Sequence, residues 1–369
     1  MSEHNLAAIC QAFEIDGEYL SCQPFGSGHI NDTYQVVVEN TVGPAKFIFQ
    51  RINHNIFTNV AGLMDNFRRV TGHLHAKLAA MPGRDPGRET LSLVPTSEGE
   101  TFHVDDAGNH WRAYVFVDGA RTFDEVQGAS HAFEAAKTFA EFQKLLMDLP
   151  EPPLVETIPD FHHTPKRFEK LVAAIEADAA GRAALAKPEI EFALARGEST
   201  NLVVDMLASG DLPARVTHND TKINNVLIDN GDGRGLCVID LDTVMPGSVL
   251  YDFGDQVRTT TGTAAEDEED LSKVTFQIDM FEQLVNGYLS VGREFLTENE
   301  IKLLAFAGRL ITFEIGIRFL TDFLEGDVYF KVHKDNHNLY RARTQFEMVR
   351  QMEEQADRME AIIARALEQ

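Results

Sequence analysis

His218-x-Asp220, then Asn225 five residues past the aspartate and Asp240 fifteen past the asparagine, are the residues of this chain best suited to chemistry. Each alone is ordinary, since His-x-Asp is common and Asn or Asp beside a turn usually shapes the turn. In order they suggest more. Two apolar runs, Asn225–Asp229 and Leu236–Asp240, flank Asn230-Gly-Asp-Gly-Arg-Gly235, a strong hairpin signal. Asn225 and Asp240 are equidistant from the centre of that turn, so an antiparallel hairpin predicts them opposite each other at its open end, with Asp220 on the loop before. Two oxygen ligands beside a separate carboxylate suit phosphoryl transfer. Mg²⁺ takes a few carboxylate or amide oxygens plus phosphate oxygens, and an aspartate beside the metal can accept the proton of an attacking hydroxyl. Asn225 and Asp240 are therefore the expected metal ligands and Asp220 the expected base. His218 is expected to brace the loop.

The elements that must position these residues fall into two regions. Upstream, Glu18–Phe25, Thr33–Val38 and Lys46–Arg51 read as strands and residues 58–78 as a helix. Further strands are expected near Leu91–Val94 and His110–Val117. After Asp118-Gly119 the pattern turns helical, over 130–147, 165–178, 188–208, 249–260, 272–291, 297–324 and 339–367, with Thr297 and Glu300 forming a capping box. The fold class is α+β, with a sheet-rich N-lobe at 1–117 and a larger, mainly helical C-lobe at 118–369.

Composition narrows the function classes. With 33 basic and 58 acidic residues among 369, the net charge of −25 repels phosphate backbones and anionic lipid, so neither nucleic acid nor membrane is an expected partner. Three cysteines without CxxC spacing, and an N-terminus without a signal-peptide pattern, fit a reducing cytoplasm. His162-His163 reads as a surface pair without metal-ligand spacing.

Several segments carry a resemblance. They are Gly28-His-Ile-Asn31-x-Thr33-Tyr34, Phe161-His162-x-Thr164-Pro165 with Phe168, and Val216-Thr-His-Asn-Asp-Thr-Lys222. Further along come Ile239-Asp-Leu-Asp-Thr243, Met245-Pro-Gly-Ser248, Asp252-Phe-Gly-Asp255 and Arg318-Phe-Leu-x-Asp322-x-Leu-Glu-Gly-Asp327-x-Tyr-Phe330. Over nearly its whole length the chain resembles the aminoglycoside phosphotransferase and choline kinase superfamily, with its two-lobed protein-kinase-like fold, and within it the N-acetylhexosamine 1-kinases. The resemblance implies ATP- and Mg²⁺-dependent phosphorylation of the anomeric hydroxyl of N-acetylglucosamine or N-acetylgalactosamine. It implies a sugar pocket formed by His29, Arg318 and Tyr329, and support of the metal or its water by Asp242. Adenine would hang from the backbone at Val115–Val117, with Gly28 in the phosphate loop.

One position departs from the kinase pattern. The third strand of such folds usually carries a Lys or Arg for the ATP phosphates, and here that position is Gln50. Arg51 follows, but alternation sends neighbours to opposite faces. Two other readings compete with the sugar kinase. A phosphotransferase for an amino alcohol or aminoglycoside would profit from the acidic charge, although Arg318 would repel a cationic acceptor. A catalytically silent kinase-like binding protein is disfavoured by the intact Asp220, Asn225 and Asp240. For Glu314, Arg318 and Asp322, spaced i,i+4, the alternative to a ligand role is an ion-pair ladder.

Overall fold

The computed structural model describes residues 4–26, 28 and 30–368. His29, expected in the sugar pocket, lies outside them. Strands β1 (Glu18–Pro24), β2 (Asp32–Asn40), β3 (Gly43–Ile52), β4 (Leu93–Val94), β5 (His103–Val104) and β6 (His110–Val115) make one antiparallel sheet in the order β1-β2-β3-β6-β4, with β5 also on β6. Alternation along β2 buries one face. Val36, Val38, Phe49, Trp111 and Ala113 pack there against Leu6, Ile9, Cys10 and Phe13 from a short helix α1 (Leu6–Cys10) and the turn after it. Helix α2 (Val60–Ala79) follows β3, with Asn59 as its N-cap, and α3 (Pro86–Glu89) is a single turn capped by Asp85.

The chain divides into two compact units. The first comprises Met1–Arg121, Leu145–Pro159 and Leu227–Met245; the second comprises Thr122–Lys144, Asp160–Val226 and Pro246–Gln369. The first unit thus also takes in β10 (Gly235–Val238) and most of β9 (Val226–Asp229), which form the expected hairpin, with β7 (Ala120–Arg121) on the far edge of β9. Its turn closes with the Gly233 N–H on the Asp229 carbonyl and the Asp229 N–H on that of Arg234.

The second unit is helical: α4 (Ala129–Leu145), α5 (Thr164–Ala177), α6 (Lys187–Leu194), α7 (Leu202–Ser209), α8 (Val249–Thr260), α9 (Ile278–Gly292), α10 (Glu298–Lys302), α11 (Leu304–Glu325), α12 (His337–Glu354) and α13 (Ala356–Glu368). Three long helices expected from periodicity are each broken. The 188–208 segment is interrupted by a 3₁₀ turn at Gly197–Asn201, 297–324 at Leu303, and 339–367 at Gln355. The capping box at Thr297 and Glu300 is present. A short strand β8 (Arg215–Thr217) pairs with β11 (Met245–Gly247) beside the His-x-Asp loop. Among the described residues no helix is long and apolar enough to cross a membrane.

Helix α11 is the axis of this unit and is buried on nearly every side. It crosses α8 so closely that a Cβ on Gly254 would lie 2.4 Å from the Ala307 carbonyl oxygen and 2.7 Å from Ile311 Cγ1. Gly254→Ala should therefore destabilise the protein by about 1–3 kcal/mol, since forcing atoms into a close-packed contact outweighs the roughly 1 kcal/mol of helix propensity gained. A urea-unfolding midpoint equal to or above the parent's would contradict this.

Candidate active site

The loop from His218 to Asn225 is built around Asp252, fully buried at the start of α8. Its Oδ2 accepts the His218 N–H at 2.9 Å and its Oδ1 the Asn219 N–H at 2.7 Å. Gln143 donates to Oδ2 at 2.7 Å and is itself held by the Tyr288 hydroxyl at 2.6 Å. The Thr221 hydroxyl bonds the Asp252 carbonyl at 2.6 Å. Burial pushes the Asp252 carboxyl up in spite of these donors. Asn219 adopts the left-handed conformation at φ 65°, which Asn tolerates better than most residues, and the chain turns there into Asp220.

His218 is wholly buried between the rings of Phe139 and Phe142, and its Nδ1 accepts the Asp220 N–H at 3.3 Å. The Asp220 side chain keeps 26% of its surface exposed, with Lys222 Nζ 2.8 Å from Oδ1. Burial would raise the Asp220 pKa, but Lys222, His218 and Arg258 outweigh it and hold the carboxyl below the usual range. Asn225 closes a 3₁₀ turn, Ile223–Asn225, just ahead of β9 rather than opening that strand. Its Nδ2 donates to the Asp220 carbonyl at 2.8 Å and to Asp220 Oδ2 at 3.2 Å. With the amide nitrogen so committed, its carbonyl oxygen is the atom left for a cation, as a hard metal requires.

His162 overturns the expectation of a surface histidine. Only 7% exposed, it sits 2.9 Å from Glu314 Oε1 through Nδ1 and 2.9 Å from the Asn219 carbonyl through Nε2. Thr164 donates to the other Glu314 oxygen at 2.6 Å. Burial lowers the His162 pKa, yet Glu314 and the Asn219 carbonyl more than reverse this and raise it. Both ring nitrogens thus face oxygen acceptors, and the ring joins α11 to the residue before Asp220.

On the same helix, the ion-pair ladder through Arg318 does not form. Glu314 is taken by His162 and Thr164. Asp322 receives the backbone N–H groups of Val328, Tyr329 and Phe330 at 2.9, 2.8 and 2.9 Å, and Asn338 as well. Arg318 lies over the Phe330 ring at 5.6 Å and, among the described residues, makes no hydrogen bond or ion pair. Arg167 on α5 has a buried Nε without a partner and spends one NH2 donor on the Phe161 carbonyl. Burial, and then the neighbouring Arg318, lower its pKa. Tyr329 is 69% exposed and meets Phe330 edge-on at 4.8 Å.

In the first unit, β10 ends at Val238, and Asp240 stands exposed in the left-handed region at φ 58°, leading the 3₁₀ turn Leu241–Thr243. Asp242 is buried rather than open to a metal or its water: Arg112 is ion-paired to Oδ1 and Asn31 Nδ2 donates to Oδ2 at 2.6 Å. The Gln50 amide is also spent, accepting from Arg112 and donating to Thr33 Oγ1 at 2.9 Å. Arg51 pairs with Asp32. In the 115–117 connection, the N–H of Val115 goes to the Ser92 carbonyl and that of Phe116 to Lys46; Val115 is exposed and Val117 buried. A Cβ on Gly28 would meet nothing. Among the described residues no three His, Cys, Asp or Glu side chains gather as a metal cage.

Sequence reasoning missed Arg112, Arg167, Asp252 and the buried His162. The readable signal for Arg112 was a lone charge inside the strand His110-Trp-Arg-Ala-Tyr-Val115.

An antiparallel sheet with one long helix, a His-x-Asp loop followed by a hairpin, and a large helical unit define a protein-kinase-like α+β fold. Residues 21–281, well over half of the chain, match the phosphotransferase enzyme family APH, and the chain belongs to that family. Solved structures agree in fold. A microcompartment-associated aminopropanol kinase is 16% identical with a TM-score of 0.59, over 96% of this chain and 98% of that one. A choline kinase from Cryptosporidium parvum Iowa II is 16% identical with a TM-score of 0.52, over 96% of each. A spectinomycin phosphotransferase, solved in complex with ADP and spectinomycin, is 12% identical with a TM-score of 0.51, over 91% and 94%.

Proposed function

We propose that the protein transfers the terminal phosphoryl group of ATP to the anomeric hydroxyl of an N-acetylhexosamine, giving the sugar 1-phosphate. The observation that carries the acceptor class is the charge beside the catalytic loop. Arg167 and Arg318 offer guanidinium donors while the carboxylates one turn from Arg318 on α11, Glu314 and Asp322, are committed to other partners. Like charges so placed repel an ammonium group. They favour a ligand rich in hydroxyl and carbonyl oxygens, which guanidinium binds directionally. Arg318 and Tyr329, with His29, are the proposed sugar contacts.

Asp220 receives the proton of the attacking hydroxyl, and Lys222 keeps the carboxylate ionised for that task. Asn225 and Asp240 are the proposed magnesium ligands. Magnesium, when bound, supplies positive charge against the phosphate oxygens. His218 and Asp252 hold the loop, and the Val115–Val117 connection and the Gly28 loop are the proposed nucleotide contacts.

ADP release measured over N-acetylglucosamine, N-acetylgalactosamine, ethanolamine, choline and kanamycin tests the reading. Turnover confined to the two sugars is expected, and turnover confined to the amines would reject it. The net charge of −25, which draws cations from solution, favours the amine reading and makes that arm a real contest. Arg318→Ala should raise the acceptor KM by about ten- to a hundredfold, the loss for one or two well-placed hydrogen bonds to a charged group, while leaving the KM for ATP within about twofold. An equal effect on both constants would remove Arg318 from the acceptor site.

A further inference from the structure

The first unit contains a charge arrangement that the functional reading does not use. On β3 the position where kinase-like folds place a cation is Gln50, and the register pairs Gln50 directly with Arg112 on β6. Residues directly opposite in an antiparallel pair present their side chains on the same face, with Cβ atoms about 5 Å apart. Arg112 therefore puts a guanidinium one strand over from the missing cation. It is 1% exposed. Its Nε and one terminal nitrogen both donate to Gln50 Oε1, at 2.9 and 2.7 Å, while the other terminal nitrogen is paired to Asp242. Phe67 lies beneath the guanidinium at 4.9 Å.

This arrangement accounts for the identity of residue 50. A Lys there would set two cations side by side in a buried site, whereas a Gln carbonyl accepts from the Arg fork and orients it. Asp242 is clamped by Arg112 on one oxygen and by Asn31 on the other, and Asn31 is fixed in turn by the Asn53 N–H at 3.0 Å. Asp242 is the middle residue of the turn Leu241–Thr243, whose flanking side chains are buried, and Asp240 leads that turn from a left-handed conformation. Fixing Asp242 thus fixes the backbone from which the exposed Asp240 carboxylate projects.

We infer that Arg112 supplies from β6 the buried cation that β3 lacks, in a different role: it is a positioning residue that sets the Asp240 segment for the metal–nucleotide complex. The inference rests on the reading of Asp240 as a metal ligand, but not on the identity of the acceptor.

Its test reads nucleotide binding directly, so it stands even if no sugar is turned over. A fluorescent ADP analogue is titrated with and without Mg²⁺ against the full chain and three variants. Arg112→Gln should weaken binding with Mg²⁺ by about ten- to a hundredfold, the usual loss on removing a group that orients a metal ligand. Binding without Mg²⁺ should change less than about threefold, and the acceptor KM less than about twofold. Because Arg112→Gln leaves Asp242 buried and unpaired, Arg112→Met with Asp242→Asn removes both charges together. That variant should unfold within a few degrees of the parent and still show the Mg²⁺-dependent loss. Returning the cation to β3, as Gln50→Lys with Arg112→Gln, should restore Mg²⁺-dependent affinity to within about fivefold. Parent-like affinity in the neutralised pair, an equal loss with and without Mg²⁺, or no recovery in the exchanged pair would each overturn the inference.

Discussion

Asp220→Asn is expected to lower kcat by about a hundred- to ten-thousandfold, the range a positioned general base contributes, while nucleotide affinity stays within about threefold of the parent. The choice of Asp220 over its acidic neighbours is physical. Asp252 spends both oxygens on the loop backbone and on Gln143, and Asp255 is paired with Arg258. Asp220 is the one of the three that is partly open to solvent, and Lys222 against it holds its carboxyl below the usual range. The asparagine amide keeps a carbonyl to accept from Asn225, so the loop should survive the change. Phosphoryl transfer followed by coupled ADP detection, beside a direct nucleotide titration, separates the two effects. A variant within tenfold of the parent would show that the proton goes elsewhere.

Local chemistry was legible in the sequence, and partners distant in the chain were not. The hairpin of β9 and β10 follows from turn residues within its own thirteen-residue span, and the capping box at Thr297 lies within four residues. Amphipathic periodicity located α2 and α8 within two residues of their ends. It could not see the breaks at Gly197, Leu303 and Gln355, because the apolar pattern continues across them. Nor could spacing show that Gln50 meets Arg112, 62 residues later, or that His162 is buried against Glu314, 152 residues away. His162-His163 is polar as a dipeptide, and only the fold brings a carboxylate to it. Asn225 and Asp240 were read as strand ends. Each instead belongs to a 3₁₀ turn or leads one, a detail that strand alternation does not encode.

Breaking the buried pair of His162 and Glu314 should also be costly. His162→Phe fills the space but leaves the Glu314 carboxylate, which has no exposed surface, with Thr164 as its remaining hydrogen-bond donor, and it strips the Asn219 carbonyl of its donor. Removing one partner of a buried ion pair costs about 3–5 kcal/mol. The loss should depend on pH with a definite sign. The folded-state pKa of His162 is raised above its ordinary 6.5 by Glu314 and the Asn219 carbonyl, against the effect of burial, while that of Glu314 is held below 4.5. A raised histidine contributes stability that is complete below its unfolded pKa and is lost as pH climbs through its folded one; a depressed carboxyl contributes above its unfolded pKa and is lost in acid. The stability gap between parent and His162→Phe should therefore be widest between about pH 5 and 6.5 and narrow above neutrality. Urea unfolding of both proteins from pH 5 to 9 measures it. Since the same ring holds the carbonyl next to Asp220, kcat should fall in the variant even where it is fully folded. A gap that stays constant across that range would mean that His162 is held neutral, and that the link from α11 to the catalytic loop carries no charge.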